Sequence, residues 1–296
     1  MAYQKVFKRY ELKYMLTKEQ KDKVVRALQP YMSIDQYGKT TIRNIYFDTP
    51  DYILARHSIV KPDFKEKLRV RSYTQVSSDE KVFVELKRKF DHVVYKRRVA
   101  IAEKAAMEWT TGAKAYGHQD GRTNQLCSEI NYFLDYYKDL QPVMFLSYDR
   151  EAYKMRPGLD DQDFRVTFDE NVLCRDHDMS LCSEAYGTPI LESGKVLMEL
   201  KCSGGIPLWM VSILSEEKLY KTSFSKYGTA YTQLVIPEMA EAAAASVLQR
   251  QAAGETEAET AEKRSPHTAP EVRKRAFRQR MFPHWTGFMQ AAGKTA

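Results

Sequence analysis

Charged side chains two residues apart carry most of the chemistry this chain could perform. The tripeptide Glu-Leu-Lys occurs three times, in YELKY (10–14), VFVELKRKF (82–90) and LMELKCS (197–203). Each copy sits among β-branched and aromatic residues, the composition of a strand. In a strand, residues two apart share a face, so Glu11 pairs with Lys13, Glu85 with Lys87 and Glu199 with Lys201. The same parity collects Arg9; Arg69 and Arg71; Lys89; Lys96 and Arg98; Arg150; and Arg165, Thr167 and Asp169. The alternate positions are apolar: Leu12, Val70, Val84, Leu86, Val166, Phe168, Met198 and Leu200. Lys221 and Lys226 follow around SFSKYG. One reading is an antiparallel sheet with a wet face, where cross-strand ion pairs help to set register. The other is a charged interior, because these faces are dominated by Arg and Lys with Glu only at selected places. Such an interior suits a polyanion, with glutamate holding a divalent cation against it.

The elements that position these residues alternate strands with a few helices. Further strands are expected at 40–49, 66–74, 81–90, 92–101, 142–154, 163–171 and 195–203. Thr17 and Gln20 form a capping box that opens a helix with an apolar stripe of Val24, Val25 and Leu28. Helices are also expected over 124–140, Trp209–Leu219 and Ser225–Leu234. The pattern is antiparallel α+β, without βαβ alternation. Neither GxxxxGK[ST] nor GxGxxG occurs, which argues against a P-loop or Rossmann nucleotide site.

Composition narrows the remaining classes. The chain has 296 residues, 43% hydrophobic and 29% charged, with a net charge of +7. No segment reads as a signal peptide, and the longest apolar run, about IPLWMVSIL (206–214), is far short of the ~20 residues of a membrane span. A cytoplasmic protein is expected. Cys127, Cys174, Cys182 and Cys202 lack metal-site spacing and read as free thiols, and RDHD (175–178) reads as a solvated loop.

The chain divides into 1–236, which holds the strands, and 237–296, an Ala/Glu-rich linker followed by a basic-aromatic tail. Within that tail, Arg273, Lys274, Arg275, Arg278 and Arg280 alternate with Phe277, Phe282, Trp285 and Phe288. Either a flexible tail or a docking segment for a membrane surface or membrane protein fits this mixture. The docking reading implies a peripheral location at the inner face of a membrane.

The motifs KRYELKY, IYFDT, KLRVRSY, VFVELKRK, YKRR, SYDR, FRVTFD, MELK and SFSKYG run in this order over roughly residues 3–232. Together they resemble the triphosphate tunnel metalloenzymes, and within these the VTC-type polyphosphate polymerase domain. The resemblance implies an eight-stranded antiparallel β-barrel tunnel with a charged interior, flanked by helices. It implies ATP and inorganic polyphosphate as ligands, Mn²⁺ or Mg²⁺ as cofactor, and no nucleic-acid partner. By position, Lys13, Arg69, Arg71, Lys87, Arg150 and Arg165 are expected to act on the reacting phosphates, and Lys96 and Lys226 to bind the anion. Glu199 matches the metal-carrying glutamate, and Glu11 and Glu85 would orient or neutralise neighbouring basics. Arg98 and Lys201 join the phosphate-binding set by parity alone. Ser223 stands where eukaryotic relatives carry a lysine, leaving Lys221 to compensate. Many hydrolytic members begin with ExExK, whereas Arg9 stands at the first of those positions. A second carboxylate helps to orient and deprotonate water, while an arginine eases the approach of two anions. The expected reaction is therefore transfer of the ATP γ-phosphoryl group to a polyphosphate end. The alternatives are a metal-dependent tripolyphosphatase or nucleoside triphosphatase, and a non-catalytic polyphosphate- or nucleic-acid-binding module.

Overall fold

The computed structural model describes residues 10–90, 93–117, 120–159 and 163–252. Arg9 and the basic-aromatic stretch 272–290 lie outside the described residues. The chain divides into two units, Met1–Met239 and Ala240–Ala296.

The first unit begins with β1 (Tyr10–Thr17), α1 (Lys18–Leu28), β2 (Met32–Asp48) and α2 (Ile53–Val60). Three strands follow, β3 (Phe64–Ser72), β4 (Lys81–Phe90) and β5 (Val93–Ala102), then helices α3 (Glu103–Thr110) and α4 (Gly121–Tyr136). Next come β6 (Gln141–Met155), β7 (Arg165–Arg175), the two-residue β8 (Thr188–Pro189) and β9 (Lys195–Cys202). The unit ends with α5 (Leu208–Glu216), β10 (Lys221–Thr222), α6 (Lys226–Ala230) and a π-helical turn (Tyr231–Val235). Helix α7 (Ile236–Ala252) continues beyond it. No helix among the described residues is long and apolar enough to cross a membrane.

The Thr17–Gln20 capping box forms as the sequence predicts, with Gln20 N–H donating to Thr17 Oγ1 at 3.1 Å and Thr17 N–H to Gln20 Oε1 at 3.0 Å. Helix α2 had no such local signal. Its N-cap, Tyr52, is left-handed (φ 55°) and caps nothing with its side chain. Instead, the buried Asp48 carboxylate at the end of β2 accepts from Leu54 N–H (2.9 Å), Ala55 N–H (2.8 Å) and Tyr227 Oη–H (2.6 Å).

All paired strands form one antiparallel sheet in the order β10-β1-β9-β7-β6-β2-β3-β4-β5, with β8 beside β7. Among the described residues the ladder does not close into the barrel that the resemblance implies. The two-residue β10 occupies the edge of β1 that a closing strand would need. The sheet is nonetheless curled. Strands β1 and β4 are six steps apart in it, about 29 Å if flat at ~4.8 Å per step. Yet Lys87 Nζ of β4 lies 2.8 Å from Glu11 Oε2 of β1. The charged parity therefore forms a concave face, and the strands curve around it.

The convex face carries two apolar cores. One packs Leu68, Val84 and Leu86 under Trp109 of α3 and Ile130 and Phe133 of α4. The other packs Val166, Met198 and Leu200 under Val24 and Leu28 of α1 and Met210 and Ile213 of α5. This face is not wholly apolar, because buried Glu66 accepts from Arg88 Nε (2.6 Å) and Tyr137 Oη–H (3.1 Å). A third core lies on the concave side, where Ile42, Tyr46, Leu146, Tyr148 and Val172 meet Tyr227, Ala230 and Tyr231. Helix α6 and the π turn thus fill part of the concavity with apolar side chains.

Candidate functional site

The register explains the repeated tripeptide. Strands β1 and β9 run antiparallel with Glu11 opposite Lys201 and Lys13 opposite Glu199, so two Glu-Leu-Lys copies place each acid across from a base. Directly opposed unlike charges stabilise a strand pair. Thr167 flanks Glu199 from β7, and Arg150 of β6 stands opposite Asp169.

These residues build one carboxylate-centred cluster. Arg150 grips Asp169 with Nε at 2.5 Å and Nη2 at 2.6 Å, and its Nη2 also lies 3.3 Å from Glu199. Lys226 enters from α6, bonding Asp169 and approaching Glu199 at 3.4 Å. Lys13 (3.3 Å) and Lys201 (3.1 Å) complete the ring around Glu199. Burial would raise the Glu199 carboxyl, but Lys226, Lys201, Lys13 and Arg150 hold it well below the usual carboxylate range. For Lys226, burial favours the neutral amine, and Asp169 and Glu199 reverse that and raise its pKa.

A second cluster surrounds Glu85, which is 1% exposed at the middle of β4. Arg69 donates Nε (2.9 Å) and Nη2 (2.7 Å) to one carboxylate oxygen. Arg98 Nε (2.6 Å) and Lys96 Nζ (2.5 Å) take the other, and Arg71 Nε stands 3.8 Å away. Burial again opposes charge on Glu85, and Arg71, Arg69, Lys96 and Arg98 overcome it and hold the carboxyl well below the usual range. Arg71 is fixed by Asn44 Oδ1 (2.8 Å) and Tyr148 Oη (3.0 Å), and Arg69 Nη1 donates to Tyr46 Oη (3.0 Å). Burial raises the Tyr148 phenol, but Arg71, Arg150 and Lys226 pull it down to about 8.

Between the clusters the face turns strongly positive. Lys67, Lys87 and Lys96 stand directly opposite one another across β3, β4 and β5. Like charges so placed repel. Glu11 relieves Lys87, whose charge outweighs the opposing effect of burial and brings the Glu11 carboxyl down to about 2. Burial, and then the neighbouring cations, push Lys96 down to about 7 despite Glu85. Lys67 bonds Ser225 Oγ at 3.0 Å, and burial followed by Lys13, Lys87, Lys65 and Arg69 lowers it well below the usual amine range.

The structure therefore brings together Lys13, Arg69, Arg71, Lys87, Lys96, Arg98, Arg150, Lys201 and Lys226 with Glu11, Glu85 and Glu199. Arg165 lies at the start of β7 opposite Lys201, and its Nη1 donates to the Phe164 carbonyl (3.0 Å). Lys221 is not brought into the set: it is exposed, stands opposite Tyr14 and shares that residue's convex side. Strand parity alone would have added Lys67, two residues before Arg69. Asn44, Tyr46 and Tyr148 sit in apolar surroundings, and only strand register brings them to arginines.

Hard divalent cations bind oxygen ligands, often one or two carboxylates with substrate phosphates. Glu199 offers an ionised carboxylate on the concave face, and Asp169 lies beside it under the same Lys226. Among the described residues no group of three His, Cys, Asp or Glu could hold a metal unaided. The residues present thus fit Mn²⁺ or Mg²⁺ only with phosphate oxygens completing the set. All four cysteines are free.

A family model described as the VTC domain matches residues 8–235. Solved structures resemble the chain, two of them as follows. A proposed adenylate cyclase from Bacillus halodurans is 14% identical, with 75% of this chain and 96% of that chain covered at a TM-score of 0.43. Another proposed adenylate cyclase, from Vibrio parahaemolyticus, is 10% identical, with 74% and 95% covered at a TM-score of 0.38. No curated protein matches.

Proposed function

This chain belongs to the VTC domain family, and from that premise we propose that it is a polyphosphate polymerase, transferring the ATP γ-phosphoryl group to a growing polyphosphate chain. The observation that carries the reading is the state of the carboxylates on the concave face. Among the described residues Glu11, Glu85, Asp169 and Glu199 are each bonded to cations. Glu11 is held near 2, Asp169 is lowered, and Glu85 and Glu199 are well below the usual range. None is a base poised to take a proton from water near neutral pH. A terminal phosphate oxygen needs no such base, because it is already ionised.

In this reading the chain end attacks the γ-phosphorus in line. The new P–O bond forms as the bond to the β-phosphate oxygen breaks, and ADP leaves with that electron pair. Mutual repulsion of the two anions is the main obstacle, and positioned cations lower it. Arg69, Arg71 and Arg150 are pre-oriented by Glu85, Tyr46, Asn44, Tyr148 and Asp169, so the N–H groups that these partners leave over are positioned for phosphate oxygens. Lys13, Lys87, Lys96, Lys201 and Lys226 supply point charges, and Arg165 extends the set along β7. Mn²⁺ or Mg²⁺, carried by Glu199, would neutralise charge on the phosphate oxygens when bound.

Incubation of the purified protein with ATP and Mn²⁺, followed by gel electrophoresis and ADP measurement, tests the reading. The expected products are polyphosphate chains with matching ADP. Orthophosphate without chains would overturn it in favour of a hydrolase, and binding without turnover in favour of a binding module.

A further inference from the structure

The lysines on the concave face fall into two populations. Lys13, Lys87, Lys96, Lys201 and Lys226 each have a carboxylate partner. Lys65, Lys67 and Lys89 differ. Among the described residues no ion pair involves any of them, although Lys67 and Lys65 are only partly exposed. Lys65 stands directly opposite Lys89, one strand repeat beyond the Lys67–Lys87 pair, so like charges face each other in two successive rows. These rows also pass the end of β2, whose last partner on β3 is Leu68, so the β2 edge of β3 is unpaired there. Lys67 borders the partnered clusters, and Lys65 and Lys89 lie one repeat beyond it, toward the ends of β3 and β4.

Directly opposed lysines, of which Lys87 alone has a carboxylate partner, raise the energy of the empty protein, and a multivalent anion spanning both rows removes that cost. Successive same-face positions are about 6.6 to 6.8 Å apart along a strand, so a chain of repeated phosphates can set successive anionic groups against both rows at once. We infer that Lys65, Lys67 and Lys89 form a subsite for condensed phosphate, separate from the carboxylate-organised clusters and engaged by the acceptor chain rather than by the nucleotide. The inference rests on the polymerase reading for the word acceptor, but the subsite itself is a matter of binding. Lysine suits the task, because mobile point charges hold a polyanion without fixing its register, whereas arginine forks fix it. Burial and the surrounding cations Lys89, Lys61, Lys87 and Lys13 lower the Lys65 amine, as an anion-starved cluster requires.

Calorimetric titrations of full-length wild type, Lys65→Gln/Lys89→Gln and Lys65→Arg/Lys89→Arg with long-chain polyphosphate and with a non-hydrolysable ATP analogue plus Mn²⁺ test this directly. The glutamine pair is expected to raise the polyphosphate Kd at least fivefold and to change the analogue Kd less than twofold. The arginine pair is expected to retain polyphosphate affinity. Without ligand the glutamine pair should melt no lower than wild type, because its removed charges repel. Equal losses for both ligands, no loss for polyphosphate, or a lower Tm of the unliganded glutamine pair would each overturn the inference. These readouts need no turnover, so a wild type that makes no polymer would overturn the polymerase reading and leave the subsite standing.

Discussion

Replacing Glu85 with glutamine removes the one negative charge around which Arg69, Arg71, Lys96 and Arg98 are gathered. The side chain keeps its volume and one acceptor oxygen, so packing changes little. What changes is electrostatic: the guanidinium groups of Arg69, Arg71 and Arg98, with Lys96 beside them, lose their counter-charge at a residue that is 1% exposed. Breaking a buried ion pair by removing one partner costs about 3–5 kcal/mol. A domain of 150–250 residues loses about 2–4 °C of Tm per kcal/mol. Glu85→Gln should therefore melt roughly 6–20 °C below wild type. The cations can also be satisfied from outside, so millimolar tripolyphosphate should raise the Tm of the variant more than that of wild type, and most at low salt. Differential scanning calorimetry of both proteins, with and without tripolyphosphate, reads both effects. A variant that melts within 1 °C of wild type would show that the carboxylate is not the organising charge. A loss that tripolyphosphate does not narrow would show that the arginines are closed to anions.

Four further outcomes follow from the same geometry. Lys87→Ala should lose at least tenfold in turnover with a Tm within about 2 °C, because its pair with Glu11 is partly exposed and such pairs contribute about 0–1 kcal/mol. Glu199→Gln should lose metal-stimulated transfer while still binding polyphosphate, read by calorimetry beside an activity assay. Tripolyphosphate binding at pH 8 should take up protons, because Lys96 is mostly neutral above about 7 in the free protein and an anion recharges it; titrations in buffers of different ionisation enthalpy measure this, and net release would contradict it. The same group sets a stability trend. Unfolded, the lysine holds its proton to about 10.4, while folded it yields it near 7, so its contribution to the stability of the free protein should rise with pH across that window. Lys96→Met should flatten that slope.

The charged face was legible in the sequence because side chains alternate with a period of two and no tertiary information is needed to sort them. Glu11, Lys13, Glu85, Lys87, Glu199 and Lys201 were found that way, while the capping box at Thr17 was legible from its own local spacing, a threonine followed three residues later by Gln20. Lys221 shows the limit of such sorting. Two strand residues carry no parity anchor of their own, and only pairing with β1 reveals that Thr222, not Lys221, lies opposite Lys13. Helix α2 was hidden because its first N–H groups are satisfied from further back in the chain, Leu54 and Ala55 by Asp48 of β2 and Ile53 by Thr49, while the N-cap position itself holds Tyr52. Asn44, Tyr46 and Tyr148 became arginine anchors through strand register, a long-range quantity. The closure of the sheet was likewise a tertiary matter, since β10 took the edge of β1 and left the strands curled but open. Local alternation decides which way a side chain points. Which carboxylate meets which cation depends on how strands distant in sequence are brought side by side, and there only the folded chain decides.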